Sequence, residues 1–314
     1  MSAEYLRIYA DFLRGALDPL RPQRVVFDFS NGPTALVVPL VVRGVQGITP
    51  TFIDGELSGN FPAHGPNPLV LPAVLHLHRE VLAHHADLGV IFDADGDRAF
   101  FVDHRGRWIP PYAIAHLLSL HEEPPYLFEP RTYFSLEKAG LLDRERSEIV
   151  PVGTYFIKRR MRETGAGFAG EYSGHYFFKE FFSADSGILA AVKVINAVTR
   201  LPYTLADFYD LFPRRVVGQE LNIESGEPNA VVAALTRHFR HEAKYVHHLD
   251  KVTLDFGAWC LNIRPSNTEP LNRLFIGSTS RVLLERKSAE VGRFLASELK
   301  RGSMALPMKP PQSV

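Results

Sequence analysis

The sequence predicts an α/β fold divided into three domains, and three observations support this. Strand and helix patterns alternate through the first third of the chain, which is typical of parallel βαβ units. Prolines then interrupt the pattern at Pro110-Pro111 and at Phe212-Pro213, where we expect domain junctions. With 314 residues the chain is also long for one domain. The expected parts are an α/β domain at 1–111, a second at 112–213, an α+β domain at 214–303 and a disordered Pro-rich tail at 304–314.

The spacing of apolar residues predicts the elements in order. Helices are expected over residues 4–17, from about 35, and over 71–85, 186–198, 201–215, 227–239 and 288–299. Strands are expected over residues 24–29, 48–53 and 88–93, as a strand–turn–strand over 98–109, and near 125–130.

Composition excludes several classes of protein. Lys+Arg and Asp+Glu both number 35, so the net charge gives no general attraction to nucleic acid or to an anionic membrane. The single cysteine, Cys260, excludes an internal disulfide framework and suits a reducing compartment. No signal-peptide pattern opens the sequence, and the apolar run at 35–42 is too short to cross a bilayer. We therefore expect a cytoplasmic protein.

Three aspartates, Asp93, Asp95 and Asp97, follow the apolar run LGVIF at alternate positions. Carboxylates grouped at the end of a buried strand repel one another unless a positive partner is present. Their hard oxygens suit a divalent cation such as Mg²⁺ or Ca²⁺. An EF-hand does not fit, because Arg98 and His104 stand where that loop needs Gly and Glu.

A second interpretation of IFDADGD is the haloacid-dehalogenase phosphatase motif, in which the first aspartate, here Asp93, is a nucleophile. That motif ends in Thr, where this chain has Asp97. The phosphatase interpretation stays open on these residues alone.

Four stretches resemble motifs of the α-D-phosphohexomutase superfamily, which contains phosphomannomutase/phosphoglucomutase and phosphoglucosamine mutase. They occur in the same order as in that superfamily. They are FPAHGPNPL at 61–69, DADGDR at 93–98, GEYSGH at 170–175 and RPSNTEP at 264–270. The resemblance implies two βαβ-type mixed-sheet domains of the phosphohexomutase kind, followed by a C-terminal α+β domain, with the ligand between them. It also implies Mg²⁺-assisted interconversion of hexose 1-phosphate and 6-phosphate, with mannose or glucose as the sugar and a 1,6-bisphosphate intermediate.

The resemblance gives each loop a role that its residue types can perform. Asp93, Asp95 and Asp97 would hold Mg²⁺, and Arg98 would neutralise charge on the transferring phosphoryl group. In the sugar-recognition loop, Glu171 and Ser173 would bind sugar hydroxyls, and His175 would polarise a hydroxyl or exchange a proton. The residues expected in the phosphate-binding loop are Arg264, Ser266, Asn267 and Thr268.

Lys158 aligns with a family segment V-G-x-x-x-I-K, and we expect it to be catalytic. Some members carry His directly after the glycine, where this chain has Thr154, which weakens an acid–base role at that position. Arg273 is expected to be an ordinary surface arginine. The histidines His76, His78, His84 and His85 are expected on a solvated helix face rather than in a metal site.

The family's reaction depends on a phosphoserine in a stretch like Thr-Ala-Ser-His-Asn-Pro. None of the serines of this chain is followed by His-Asn-Pro, and Ser58 lies in a different motif. We therefore expect a phosphohexomutase-type protein that needs a separate phosphoserine domain as partner. The alternative is a non-catalytic hexose-phosphate-binding protein.

Overall fold

The computed structural model describes residues 3–225, 227–266 and 271–299. It divides the chain into two compact units, one formed by residues 3–127 with 158–211 and the other by 128–157 with 212–299. The three-domain boundaries at 111 and 213 stay a prediction. The expected tail at 304–314 lies outside the described residues.

The first sheet belongs to the first unit, and it is mixed. Its strand order is β2-β1-β3-β4-β5; β1 pairs parallel with β2 and β3, whereas β4 runs antiparallel to β3 and β5. The elements are α1 (Ala3–Gly15), β1 (Gln23–Asp28), α2 (Thr34–Val42), β2 (Ile48–Ile53), α3 (Leu71–Ala83), β3 (Leu88–Phe92), β4 (Ala99–Asp103) and β5 (Trp108–Ile109).

Helix α3 packs directly on this sheet. Leu77 and Val81 of the helix form one buried cluster with Val26 and Ile91 of the strands. A Cβ at Gly89 would lie only 2.5 Å from Val81 Cγ2, so the close approach of α3 to β3 requires glycine there. This packing fixes the end of β3, where the aspartate loop begins.

The second sheet has the strand order β10-β9-β8-β6-β7, and β9 runs antiparallel to both β8 and β10. The elements of this stretch are α4 (Pro111–Ser119), β6 (Tyr126–Phe128), α5 (Pro130–Ala139), β7 (Ser147–Ile149), α6 (Thr154–Thr164), β8 (Phe168–Gly170), β9 (Tyr176–Phe178), β10 (Ala184–Asp185), α7 (Gly187–Arg200) and α8 (Leu205–Asp210).

The third sheet lies in the second unit and is antiparallel throughout, in the order β11-β15-β14-β13-β12. Leu235 and Val291 of its helices pack on Leu261 and Ile276 of its strands. The elements are β11 (Val217–Glu224), α9 (Pro228–Phe239), β12 (Tyr245–His247), β13 (Val252–Asp255), β14 (Trp259–Pro265), β15 (Leu271–Ser278) and α10 (Arg281–Leu299).

The predicted fold class is confirmed: parallel βαβ pairing builds the first sheet, and an α+β arrangement closes the chain. Among the helices formed by the described residues, none has the length and apolarity that a bilayer crossing requires.

Candidate active site

The aspartate loop begins where the fully buried strand β3 ends. Asp93 is buried, Asp95 is exposed and Asp97 is intermediate. The backbone N–H groups of Gly96 and Arg98 both donate to Asp93 Oδ1, each at 3.1 Å. Gly96 has a φ of 78°, the left-handed conformation that lets the loop reverse at little cost. Asp93 therefore shapes the loop through one of its oxygens.

Arg98 lies against the carboxylates of this loop. Its Nε is 2.5 Å from Asp93 Oδ2 and 3.8 Å from Asp97 Oδ1. Burial, reinforced by the charge of Asp97, raises the pKa of Asp93 to about 6 despite the attraction of Arg98. Burial of the Asp93 carboxylate is therefore only partly compensated by Arg98, which favours binding of a further cation.

The three aspartates fit a divalent ion by their geometry. One carboxylate oxygen from each of Asp93, Asp95 and Asp97 lies within 4.8 Å of the others. Asp97 Oδ1 is buried and accepts no hydrogen bond within the described part of the chain. An all-carboxylate set with one exposed member suits Mg²⁺, which keeps part of its coordination sphere for water or phosphate.

Neighbouring segments hold the aspartate loop from two sides. The Ala94 N–H donates to Pro66 O at 3.2 Å, and the Gly187 N–H donates to Gly96 O at 3.1 Å. A Cβ at Gly187 would lie 2.5 Å from Arg98 O, so this approach requires glycine at the start of α7.

The GEYSGH stretch forms the turn between β8 and β9 and lies directly beside the aspartate loop. The Ala99 N–H donates to Gly174 O at 3.1 Å, and Arg98 and His175 form an isolated β-bridge. Gly174 has a φ of 89°, and a Cβ there would lie 2.5 Å from the Phe100 ring. The fold therefore brings together two motifs that lie more than 70 residues apart in the sequence.

His175 connects the two loops through its two ring nitrogens. Nδ1 lies 3.1 Å from Glu171 Oε2 and 2.9 Å from Ser173 Oγ, whereas Nε2 lies 3.4 Å from Asp97 Oδ2. Hydrogen bonds to Asp97 and Glu171 outweigh burial and raise the pKa of His175 to about 10. The imidazole is therefore held as a cation among carboxylates.

Asp185 is a further member of this group that the sequence did not indicate. Its Oδ2 lies 3.9 Å from His175 Nε2, and burial raises its pKa while the charges of His175 and Lys158 lower it. Lys158, on α6, thus acts electrostatically on the same group of residues. Its membership of the site and its catalytic role stay predictions.

The phosphate-loop residues lie in the second unit. The Arg264 side chain is 11% exposed, and its Nε lies 3.4 Å from Asp250 Oδ2. The Ser266 N–H donates to Leu271 O at 2.7 Å, which fixes the base of the loop. Burial lowers the pKa of Arg264 below its ordinary value. Asn267 and Thr268, the other two expected phosphate ligands, lie outside the described residues.

Two family models match the chain. The model described as phosphoglucomutase/phosphomannomutase, alpha/beta/alpha domain II, matches residues 4–106. The one for domain III matches residues 143–215. The chain belongs to the phosphoglucomutase/phosphomannomutase family. Three of the four stretches, at 61–69, 93–98 and 170–175, lie within the matched residues.

Curated members of the phosphoglucomutase/phosphomannomutase family align over most of this chain. The "Phosphohexose mutases" protein of Xanthomonas campestris pv. campestris (strain B100) is 33% identical over 304 residues, which are 93% of this chain and 65% of that protein. The phosphomannomutase of Escherichia coli (strain K12) is 30% identical over 88% of this chain and 63% of its own length. The chain thus spans a little under two thirds of the length of these relatives.

Solved structures of the family share the fold. A phosphoglucomutase/phosphomannomutase family protein from Burkholderia thailandensis superposes with a TM-score of 0.79 and 25% identity, over 96% of this chain and 66% of that one. An Aspergillus fumigatus N-acetylphosphoglucosamine mutase, solved in complex with GlcNAc-6P and magnesium, gives a TM-score of 0.64 at 12% identity, over 93% of this chain and 69% of that one. The second likeness is evidence for the fold alone.

Family membership shows that the haloacid-dehalogenase interpretation is wrong. The geometry gives a physical reason, because Asp93 Oδ1 accepts two backbone N–H groups and Oδ2 accepts Arg98 Nε. A carboxylate held on both oxygens is a poor nucleophile and a good organiser of a loop.

The expectation that Arg273 is an ordinary surface arginine also needs correction. Arg273 is paired with Arg264 across β14 and β15, and its Nη1 lies 3.4 Å from Glu220 Oε1, so it is not an ordinary surface arginine. Glu220 also accepts from Arg131, which no sequence pattern indicated. The pattern did not reveal these partners because they come from three separate elements.

The helix histidines were predicted to be solvated, and this is wrong for two of the four. His78 Nδ1 lies 2.7 Å from Gly106 O, and His76 Nε2 lies 2.9 Å from Asp54 Oδ2. His84 and His85 are exposed, as expected. The difference follows helical spacing, because His76 and His78 lie on the turns of α3 that meet other loops.

Proposed function

We propose that this chain carries the metal-binding, sugar-binding and phosphate-binding loops of a phosphohexomutase that interconverts hexose 1-phosphate and 6-phosphate, with mannose or glucose as the sugar. One observation carries the proposal. The aspartate loop and the sugar loop share a backbone hydrogen bond from Ala99 to Gly174, and His175 lies between Asp97 and Glu171. The buried free thiol of Cys260 supports action in the reducing cytoplasm.

In this proposal the aspartates would hold Mg²⁺, which would supply positive charge to stabilise the phosphoryl group during its transfer. Asp93 keeps the loop in shape, Asp95 and Asp97 add their oxygens, and Arg98 presents its guanidinium beside them. Arg98 would then neutralise charge on the equatorial oxygens of the phosphoryl group.

The sugar end of the mechanism uses the neighbouring loop. The Glu171 carboxylate can accept hydrogen bonds from two vicinal sugar hydroxyls, and Ser173, which donates to Glu171 at 3.0 Å, adds a hydroxyl that can turn toward the ligand. His175, held as a cation, would donate to a hydroxyl or phosphate oxygen of the sugar. Lys158 would add positive charge beside Asp185.

The far phosphate of the substrate would be bound by the RPSNTEP loop. Arg264 can form a bidentate ion pair with a phosphate, and Ser266 can donate its hydroxyl. Asn267 and Thr268 complete this proposed ligand set. Exchange of Asp250 for a doubly charged phosphate as the partner of Arg264 would be electrostatically favourable.

Phosphoryl transfer needs a group that gives and receives the phosphate. In the proposed sequence the O–P bond of a phosphoserine breaks as a bond forms to a sugar hydroxyl, and the hydroxyl proton goes to a base. The resulting 1,6-bisphosphate turns over, and its other phosphate returns to the serine. Because no serine in these 314 residues is followed by His-Asn-Pro, we propose that a phosphoserine domain outside them supplies this group.

A coupled mutase assay tests the proposal. Glucose 1-phosphate or mannose 1-phosphate is supplied with Mg²⁺ and a trace of the matching 1,6-bisphosphate, first with this chain alone and then with a separately expressed phosphoserine domain of the family. Turnover only after mixing is the expected result, and Asp95→Ala should remove it. Turnover by the chain alone would overturn the need for a partner domain, whereas binding without turnover in either mixture would identify a hexose-phosphate-binding protein.

A further inference from the structure

A second group of metal-ligand side chains lies in the first unit, outside the aspartate loop. Asp28 is the last residue of β1 and Asp54 follows β2, and these strands pair in parallel with Asp28 opposite Ile53. The two carboxylates therefore lie at the same edge of the sheet. His64, from the FPAHGPNPL stretch, and His76, from α3, meet them there.

The distances between these atoms match the spacing of ligands around a tetrahedral metal ion. His64 Nε2 lies 3.1 Å from Asp28 Oδ2 and 3.7 Å from Asp54 Oδ2. His76 Nε2 lies 2.9 Å from Asp54 Oδ2. Two ligands each about 2.0–2.1 Å from a tetrahedral Zn²⁺ are about 3.3 Å apart. One ligand atom from each of Asp28, Asp54 and His64 lies within 4.8 Å of the others, so small side-chain shifts would place one ion among these three, and a rotation of His76, which already contacts Asp54, would add the fourth ligand.

The orientation of His64 is a separate observation that points to a cation. Its Nδ1 lies 3.1 Å from Gly65 O, and because a carbonyl oxygen only accepts, Nδ1 carries the hydrogen. Nε2 then faces Asp54 and lies 3.2 and 3.1 Å from the two carboxylate oxygens of Asp28, so either a proton on Nε2 or a metal ion lies between the imidazole and the carboxylates. A histidine that donates one ring N–H to a backbone carbonyl while the other nitrogen faces carboxylates is the usual arrangement around a bound metal.

The buried carboxylates of this group are costly unless a cation neutralises them. The partly exposed side chains give an ion access. The side chains of His64 and Asp28 are 1% and 0% exposed, so two carboxylates share one buried imidazole. The side chains of Asp54 and His76 are 20% and 36% exposed and form the open side. An ion could enter there and meet two inner ligands that are already positioned.

We propose that Asp28, Asp54, His64 and His76 bind a transition-metal ion at a site separate from the aspartate loop. Two imidazole nitrogens and two carboxylate oxygens suit Zn²⁺ better than Mg²⁺, which prefers an all-oxygen octahedron. The proposal is independent of the proposed mutase function, because it rests only on contacts among these four residues and Gly65.

Such an ion would stabilise the support of the aspartate loop. His64 lies two residues before Pro66, whose carbonyl accepts from the Ala94 N–H in that loop. The ion would join the ends of β1 and β2 to α3 and to this stretch. We therefore assign the site a structural role, in which the ion raises thermal stability without contacting substrate.

The test is a titration of the metal-free chain with Co²⁺ and then Zn²⁺, in excess Mg²⁺ so that the aspartate loop is occupied. Tetrahedral Co²⁺ gives an intense visible absorption, and Zn²⁺ should displace it at one equivalent. Asp54→Asn and His76→Ala should each lower the Co²⁺ affinity at least tenfold. Asn suits position 54, where φ is 50°, so Asp54→Asn is expected to fold.

Two control variants separate this site from its neighbours. His84→Ala removes an exposed histidine from the same helix, and Asp95→Ala removes a ligand of the aspartate loop. Both should leave Co²⁺ binding unchanged. The proposal is overturned if the wild-type chain gives no tetrahedral Co²⁺ spectrum, if binding disappears in Asp95→Ala, or if folded Asp54→Asn and His76→Ala bind Co²⁺ as the wild type does.

Discussion

At the scale of single residues, the three aspartates of the metal loop differ in what they can contribute. Asp93 is buried and engaged by Gly96 and Arg98, so its main work is to hold the loop. Asp95 is exposed, and its loss removes a ligand without leaving a buried cavity. Their equal spacing in the sequence hides this difference, which depends on burial.

We predict that Asp95→Ala abolishes Mg²⁺ binding and leaves the fold intact, because the exposed carboxylate adds charge but little packing. Isothermal titration with Mg²⁺ measures the first effect and circular dichroism the second. Asp143→Ala, another exposed aspartate, is the matched control. Unchanged Mg²⁺ affinity in Asp95→Ala would remove the metal assignment.

Arg264→Ala should weaken binding of glucose 1-phosphate by about 1.5–3 kcal/mol, the usual worth of hydrogen bonds to a charged group. Calorimetry measures this, with Arg281→Ala as the control, because Arg281 is an exposed arginine that pairs with Glu285 on the same helix. Equal affinity in wild type and Arg264→Ala would mean that the phosphate is bound elsewhere.

His116 predicts a pH dependence of stability. Burial lowers its pKa to about 4, from 6.5, so the unfolded chain takes up the proton first. The free energy of unfolding is therefore unaffected by this histidine above pH 6.5. It falls by up to about 3 kcal/mol as the pH decreases towards 4. Urea unfolding of His116→Leu should show a shallower loss over that range than wild type, and His241→Leu, at an exposed position, should not. Parallel pH profiles for wild type and His116→Leu would contradict this origin.

At the scale of elements, contact between loops depends on glycines. Gly174 has a positive φ, and its Cα lies so close to the Phe100 ring that a Cβ would be 2.5 Å away. The metal and sugar loops can share a backbone hydrogen bond only because no side chain intervenes at this point.

We therefore predict that Gly174→Ala destabilises the chain by at least about 1–2 kcal/mol, the cost of a left-handed backbone at a residue with Cβ, and weakens Mg²⁺ binding. Gly292→Ala is the control, since it lies in α10 with nothing within 4 Å of the added Cβ and should stabilise by up to about 1 kcal/mol. Denaturant unfolding of both variants gives the comparison. Equal stability of Gly174→Ala and wild type would contradict the close approach.

The sequence predicted local helices and strands well, but it did not predict which side chains distant in the sequence would contact one another. The strand at 48–53 and the helix over 227–239 agree with β2 and α9 closely, because clear turn signals and apolar spacing bound both. Helix α10 begins at Arg281, seven residues before the predicted start at 288, because its first two turns are rich in charge and show little apolar spacing. The cluster of Asp28, Asp54 and His64 could not be predicted, since only pairing of parallel strands brings it together.

At the scale of the whole molecule, motifs identified separately in the sequence converge on the chemistry of one family. Family models match residues 4–106 and 143–215, and the chain aligns with a little under two thirds of each curated relative described above. Motif order could predict this membership because each loop has a composition that its chemistry restricts. The distances among Asp97, Glu171, Asp185 and His175 could not be predicted, because they depend on how the strands β8, β9 and β10 are placed against the aspartate loop.

The central claim is that the metal loop and the sugar loop form one site. The most direct test is the affinity for Mg²⁺, measured by calorimetry with and without saturating glucose 1,6-bisphosphate, in wild type and in Glu171→Gln. If the loops act together, the bisphosphate raises Mg²⁺ affinity at least fivefold, within the usual range of coupling between sites, and Glu171→Gln removes most of that gain. The same Mg²⁺ affinity with and without the bisphosphate in wild type would contradict a shared site.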